Sequence, residues 1–536
     1  MPRGKKSIGN KKNASNAGNG VMDVIKELWQ AAVTLRGSIE PADYKRYVLP
    51  IIFLRFLSLR HERRREEIGL LLKDPSSEYY GDTRALDEPD EYRSVGAFIL
   101  PEEARWENIV RHAQADDIKV RLDNILELLE RSYPDKLRGL LPRIYAGSNL
   151  ARESVTGLIN LFSKDAFRRD YSGEDLIGRV YEYFIGEFPS SEGKRGGEYF
   201  TPSSIVRTLV AMLEPDHGIV FDPCCGSGGM FVQSDKFTKH SRQLSFVGQE
   251  NKEFTYRLSR MNLFIHGIDG NIAPTDSYSD DKHPALKADF VLANPPFNDG
   301  SKGENGWGSD KIPDKDPRLA VAPGKKMPLA FRNANTMWIM HFLYHLKEGG
   351  TAGFVLATGE LSNGETARFE VRKTLVEENF LDCIVQLSGQ LFANTQIPCS
   401  LWFLSRNRGG ERGFRKRKGE ILFIDGRKLG SLIPGSRKQK QLSDDEVEKI
   451  AVVYRRYRHT GMPDAVPGFC RVATVEEVRD HKYALTPGRY VGSAETEEDD
   501  EPFEEKMPRL VTALNAQFDE SVKLERLIRE KLSKFK

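Results

Sequence analysis

The chain has 536 residues, room for two to four domains of about 100–200 residues each. Hydrophobic residues make up 39% and charged residues 29%, the balance of a soluble protein with real cores; no apolar run approaches the roughly 20 residues that cross a bilayer. Net charge is only +2, so a nucleic-acid surface cannot be argued from global charge and must be local or supplied by a partner.

In chain order, Met1 to Gly20 carries Arg3, Lys5, Lys6, Lys11 and Lys12 among Gly, Asn and Ser. It reads as a disordered basic tail over 1–20, with no apolar segment behind it to act as a signal peptide. Residues 21–165 read as a helical N-terminal domain. Apolar positions recur at three- and four-residue steps through Met22, Ile25, Leu28 and Trp29, through Tyr44 to Leu59, and through Ile118 to Leu129. The polar stretch from Asp74 to Glu91 reads as a loop.

Over 166–475 short apolar runs alternate with helical segments. The runs are Ile219–Phe221, Ser245–Gly248, Asp289–Leu292, Gly353–Leu356, Cys383–Gln386 and Leu401–Leu404. This predicts an α/β domain whose mostly parallel sheet is covered on both faces. Ile421–Ile424 is expected beside 401–404 as an antiparallel neighbour. Residues 476–536 form a C-terminal region, polar and then acidic. It ends in a helix whose stripe comprises Met507, Val511, Leu514, Phe518, Val522, Leu524, Leu527 and Ile528. The five cysteines, Cys224, Cys225, Cys383, Cys399 and Cys470, match no paired-CxxC zinc pattern. A reducing cytoplasm and no metal are expected.

Four motifs carry chemistry. In Phe221-Asp222-Pro223-Cys224-Cys225-Gly226-Ser227-Gly228-Gly229-Met230-Phe231 a strand runs into a helix. Glycines there admit a ligand close to the backbone, and the helix start offers free N–H groups. The third glycine of a dinucleotide fingerprint is replaced by Phe231, so a nucleoside cofactor suits the loop better than a pyrophosphate. Asp222, Gly226, Ser227, Gly228 and Gly229 are its candidate contacts. Glu250, at the end of the next strand, is placed to accept from ribose hydroxyls. Asp276 sits where a third strand should end, either as an acceptor for the cofactor's adenine amine or as a loop cap.

Asn294-Pro295-Pro296-Phe297 follows the strand Asp289 to Leu292. Adenine N6 is a poor nucleophile because its lone pair is delocalised into the ring. The Asn294 side-chain oxygen and the Pro295 carbonyl can accept from its two N–H bonds and localise the electrons, and the two prolines hold those acceptors stiffly. Phe297 offers a face on which an extruded base can stack. Glu198-Tyr199-Phe200-Thr201-Pro202-Ser203 starts a helix at Thr201 and Pro202. Tyr199 and Phe200 can pack on the cofactor.

Together these motifs resemble the modification subunit of type I restriction–modification systems. The resemblance extends to Phe53-Leu54-Arg55-Phe56-Leu57, Ala104-Arg105-Trp106, Gly389-Gln390-Leu391-Phe392 and Thr395-Gln396-Ile397-Pro398. It implies a Rossmann-like methyltransferase fold with S-adenosyl-L-methionine as cofactor and N6 of adenine in double-stranded DNA as target. Cofactor contacts are implied across Glu198 to Ser203, at Ser227–Gly229 and at Glu250. So are a separate specificity subunit, a second modification chain, and a restriction subunit that can join them. The C-terminal helix would pack on that partner or on its own domain.

Arg406, Arg408, Arg412, Arg415, Lys416, Arg417 and Lys418 form either a phosphate-binding loop or a solvated hairpin tip. Asn298 to Lys326 reads as a segment that orders on DNA. N4 of cytosine and a protein glutamine amide are alternative targets for the same loop. A cytosine-C5 enzyme would need Pro223-Cys224 or Pro398-Cys399 as its nucleophile pair.

Overall fold

The computed structural model describes residues 24–37, 39, 41–164, 176–192, 201–241, 243–298, 300, 307–309, 312–322, 325–331, 333–392, 396–410, 413–433, 436, 438–492 and 503–533. The basic tail, Glu198, Tyr199, Phe200 and Arg412 therefore lie outside the described residues.

The N-terminal domain is built from α1 (24–35), α2 (Pro41–Leu71), α3 (Ile118–Ser132), α4 (Arg152–Phe162) and α5 (Leu176–Glu192), with shorter turns between. The amphipathic spacing read from sequence holds in α3, where Ile118, Leu122, Ile125, Leu126 and Leu129 are all buried. On α2 the stretch Phe53–Leu57 lies inside the same core. Its Arg55, 1% exposed, pairs with Glu62 at 2.9 Å and stacks over Trp106 at 5.3 Å. That contact joins two of the segments that carry the family resemblance.

The second domain contains α6 (Ser203–Leu213), β1 (Gly218–Asp222), α7 (Gly229–Phe237), β2 (Leu244–Gln249), α8 (Glu253–Ile265), β3 (Gly270–Ala273) and β4 (Ala288–Ala293). It continues with α9 (Asn335–His345), β5 (Leu346–Ala357), α10 (Thr366–Glu377), β6 (Leu381–Leu387), β7 (Cys399–Ser405), β8 (Glu420–Gly426), α11 (Asp444–His459) and β9 (Cys470–Thr474). Among the described residues these strands form one sheet in the order β9-β8-β6-β7-β5-β4-β1-β2-β3. From β3 to β5 every pairing is parallel. Strands buried on both faces need no alternation, so β4, β6 and β7 are buried at every residue.

The expected pairing of 401–404 with 421–424 does not occur. β7 inserts antiparallel between β5 and β6, and β8 pairs parallel with β6 and antiparallel with β9. The 475 boundary also falls short. Val475, Val478, Leu485, Tyr490 and Val491 belong to the sheet's core, and Tyr490 stacks on Phe423 with ring centroids 3.9 Å apart. Nor does all of 298–326 wait for DNA, because Trp307, Ile312, Leu319 and Val321 are buried in that core.

The basic loop likewise turns inward. Arg417 and Arg408, 1% and 3% exposed, both face Asp382 of β6, which is fully buried. The Arg417 Nε–Asp382 distance is 3.0 Å, and the Tyr454 hydroxyl donates to the same carboxylate at 2.9 Å. Arg406 stacks on Phe380 and donates to the Leu343 carbonyl, while Arg415 pairs with Glu420. The assignment of Arg408 and Arg417 to DNA is therefore overturned: their guanidinium groups neutralise a buried carboxylate. Lys416 and Lys418 are exposed.

The helical domain and the sheet domain share a core through α8. Leu258, Met261 and Ile265 sit in the helical domain's cluster, and Phe264 packs edge-on against Phe53 with centroids 5.5 Å apart. Beyond β9 the helix α12 (Phe503–Ser533) follows.

Candidate active site

β1, β2, β3 and β4 run in one direction, so their carboxyl ends open on one edge of the sheet. Strand order reverses between β1 and β4, the place where an open α/β sheet leaves a crevice. Asp222 ends β1, Glu250 follows β2, Asp276 follows β3 and Asn294 follows β4. One cleft is lined by all four, together with Thr201, Gly226, Ser227, Gly229 and Pro296.

The loop from β1 to α7 turns through positive φ at Gly226 (55°) and Gly228 (78°), where a Cβ would be strained. It is pinned from outside. The Cys225 N–H donates to the Gln249 carbonyl at 3.0 Å, Asn262 Nδ2 to the Ser227 carbonyl at 2.8 Å, and Ser277 Oγ to the Pro223 carbonyl at 2.5 Å. Glu250 is fixed at both oxygens: Oε2 accepts the Gly226 N–H at 3.1 Å and Oε1 the Lys252 N–H at 2.9 Å. Space beside Gly226 and Gly229 is open, so a side chain at either would fill the cradle. Burial pushes the Asp222 carboxyl up to about 7; the Cys224 N–H that donates to it opposes the rise, and Glu250 adds to it. These residues fit a nucleoside carrying a cationic amino-acid tail: a held carboxylate for ribose hydroxyls, a glycine cradle, and an acid awaiting positive charge.

Asp276 is half-buried at the cleft and accepts the Tyr278 N–H at 3.1 Å and the Ser279 hydroxyl at 2.8 Å. Both readings of it survive: it caps its own loop and faces the ligand space. Asn294 is more informative. Its Nδ2 donates to Thr201 Oγ1 at 2.9 Å. Its Oδ1 is buried with no hydrogen-bond partner among the described residues. Such an atom costs about 1–3 kcal/mol if it stays unpaired. Pro295 is buried beside it, and Phe297 meets Phe392 edge-on at 5.4 Å. Pro202 caps α6 and Ser203 begins it.

Sequence reading missed several walls of the cleft: Lys45 and Leu49 from α2, Ile185 from α5, Thr255, Tyr278 and Trp338. Trp338 lies in an apolar helical run that reads as plain core. The link from Thr201 to Asn294 spans 93 residues and leaves no local signal.

The cysteine rival fails on environment. Cys399 is buried within β7, and burial pushes its thiol up to about 12. Burial and neighbouring Asp222 raise Cys224 well above the ordinary range. Among the described residues, Asp281, His341 and His345 bring possible metal ligands together. There His345 Nε2 meets Asp281 at 3.0 Å, and Arg318 Nη1 faces His341 Nδ1 at 3.2 Å. A metal-bound histidine turns its other nitrogen to an acceptor, whereas the Arg318 guanidinium at His341 is a donor with its own positive charge, so the set reads as a hydrogen-bond network.

Residues 172–499 match the N-6 DNA methylase family, and residues 25–164 match the HsdM N-terminal domain. The chain belongs to the N-6 DNA methylase family of type I restriction–modification methylase subunits. Its chemistry is methyl transfer from S-adenosylmethionine to N6 of adenine in DNA. It is 39% identical over 516 residues to the type I restriction enzyme MjaIX methylase subunit of Methanocaldococcus jannaschii, covering 94% of this chain and 90% of that one. With the HindI methylase subunit of Haemophilus influenzae it shares 40% identity over 425 residues, 77% of this chain and 91% of that one. The fold is also that of a type I methyltransferase subunit from Streptococcus thermophilus, with TM-score 0.68 and 23% identity over 88% of this chain and 99% of that one.

Proposed function

We propose that this methylase acts on an adenine swung out of double-stranded DNA, with Asn294 Oδ1 and the Pro295 carbonyl as acceptors for the two amine N–H bonds. The observation that carries this reading is the unpaired Asn294 oxygen at the cleft. With Nδ2 tied to Thr201, the amide is oriented before any base arrives and keeps its oxygen as the unused acceptor. Two accepted hydrogen bonds localise the N6 lone pair, and the prolines keep reorganisation small. Phe297 stacks on the extruded base, returning about 1–3 kcal/mol of the unstacking cost. The bound cofactor supplies the electrophilic methyl group on its sulfonium. Glu250 holds the ribose hydroxyls, Asp222 balances the cofactor's positive charge, and Asp276 accepts from its adenine amine. The Gly226–Gly229 loop, Thr201, Pro202 and Ser203 close around the amino-acid end.

Sequence recognition belongs to a separate specificity subunit that two copies of this chain join, with a restriction subunit able to add to them. The C-terminal helix supports such an assembly. Along α12, Met507, Val511, Leu514, Phe518, Val522 and Ile528 are all exposed, from 40% at Met507 to 65% at Val522, which favours a partner over packing on its own domain.

The test is methyl transfer to DNA by the full complex, read by nucleoside mass spectrometry. N6-methyladenine is the expected product; N4-methylcytosine would overturn the target assignment. Asn294→Ala should lower kcat by roughly 100- to 1000-fold with cofactor affinity nearly unchanged. Thr201→Val, which leaves the amide unoriented, should fall between this variant and the wild type.

A further inference from the structure

The Asn294–Phe297 loop is gripped at its exit by side chains that do not line the cleft. Asn298, directly after Phe297, sits at φ 52°, a left-handed conformation that Asn tolerates better than most residues but that needs support. Asn335, the first residue of α9, supplies that support. Its Oδ1 accepts the Asn298 backbone N–H at 3.1 Å, and its Nδ2 donates to Asn298 Oδ1 at 3.1 Å. Asn333 Nδ2 donates to the same oxygen at 3.0 Å.

The grip is anchored by charge. Asn335 Nδ2 also donates to Glu360 Oε2 at 2.8 Å. Glu360 is held in turn by Arg368 of α10, whose Nε lies 3.0 Å from each carboxylate oxygen and whose Nη2 lies 2.5 Å from Oε2. Asn335 is fully buried, Glu360 is 1% exposed and Arg368 9%. The arrangement admits one orientation of the Asn335 amide, because a flip would set its oxygen against the Glu360 carboxylate. That amide is therefore a template of fixed polarity against which Asn298 must dock.

Resting on the proposed function, the geometry points to Asn335 as a positioning residue for methyl transfer. It fixes the exit of 294–297, and with it the direction of the acceptors at Asn294 and Pro295, without touching cofactor or base. Glu360 and Arg368 fix Asn335. Displacing a reacting group by about 1 Å can cost 100-fold in rate, so a grip on the neighbouring residue acts on kcat first.

The test uses the full chain in its complex, with Asn335→Asp as the first variant. This change keeps the shape and the acceptor for the Asn298 N–H. It removes both donors and sets a second carboxylate against Glu360. We expect kcat to fall roughly 10- to 100-fold while the cofactor Kd changes less than about twofold. The loss should ease as pH falls, because one of two facing carboxyls then takes up a proton and a donor returns. Hydrogen exchange over 294–298 in the free chain should accelerate. Glu360→Gln leaves Asn335 an acceptor but takes away the charge that Arg368 grips; it should show a smaller loss of the same kind, and it carries the test should Asn335→Asp fail to fold. Wild-type kcat in a folded variant, a cofactor affinity that falls in step with kcat, or unchanged exchange at 294–298 would overturn the inference. A wild-type complex that leaves adenine unmethylated would instead sink the proposed function.

Discussion

Single atoms decide what this cleft can do. Asp222 is the residue where chemistry and pH meet. Burial has already raised its carboxyl to about 7, so near neutrality it is shared between protonated and ionised forms. A cation bound beside it favours the ionised form. Binding of S-adenosylmethionine should therefore expel a proton below about pH 7, and affinity should weaken as pH falls through that value, by up to roughly tenfold per unit. Titration calorimetry between pH 8 and 6, in two buffers of different ionisation enthalpy, reads both the affinity and the proton. Asp222→Asn should bind more weakly and without this slope. A flat wild-type profile would remove Asp222 from the cofactor's charge balance. The position of Asp222 was legible in the sequence, because strand, glycine loop and helix are consecutive. Its titration was not, because burial comes from the folded sheet and the nearby charge from Glu250, a residue of another strand end.

At the scale of elements, local pattern and non-local partner part company. Seven of the nine strands were visible as apolar runs, whereas β3 and β9, with Gly270-Asn271 and Arg471 interrupting them, were not; the four acidic or amide residues at the carboxyl ends of β1 to β4 were visible as well. Which strand lies beside which was not. β7 enters antiparallel between β5 and β6, and nothing within Leu401–Leu404 encodes that choice. The basic loop misled for a related reason. A run of arginines reads as solvated until the carboxylate that neutralises it is found, and Asp382 is a single acid inside the apolar strand β6. Burial alone would raise that carboxyl, but Arg417 and Arg408 hold it below the ordinary range. Asp382→Asn keeps the shape and leaves two guanidinium groups buried without their counter-charge. It should destabilise the domain by about 3–5 kcal/mol, read as a shift in the urea midpoint at constant slope. A shift below about 1 kcal/mol would mean that those arginines reach water, and their return to the surface would reopen the DNA-binding reading of the loop.

Across the whole molecule, the cleft is not the property of one domain. Lys45 and Leu49 reach it from α2, and α8 lends Leu258, Met261 and Ile265 to the helical domain's core, so the two domains line the cleft jointly. The C-terminal helix stands in contrast. Met507, Val511, Leu514, Phe518, Val522, Leu524 and Ile528 lie open along α12, with charged residues between them in the sequence. In the proposed assembly this stripe meets the partner, and burying each Leu or Phe there is worth about 1.5–3 kcal/mol. Replacing Leu514 and Phe518 together by Glu removes two such contributions from the middle of the stripe. It should weaken the complex with the specificity subunit at least about 100-fold, while the melting temperature and cofactor affinity of the chain alone stay unchanged. Light scattering of the mixed subunits separates the outcomes. A double variant that still assembles would assign the helix to some other contact, and one that loses cofactor affinity would tie the helix to the cleft rather than to a partner.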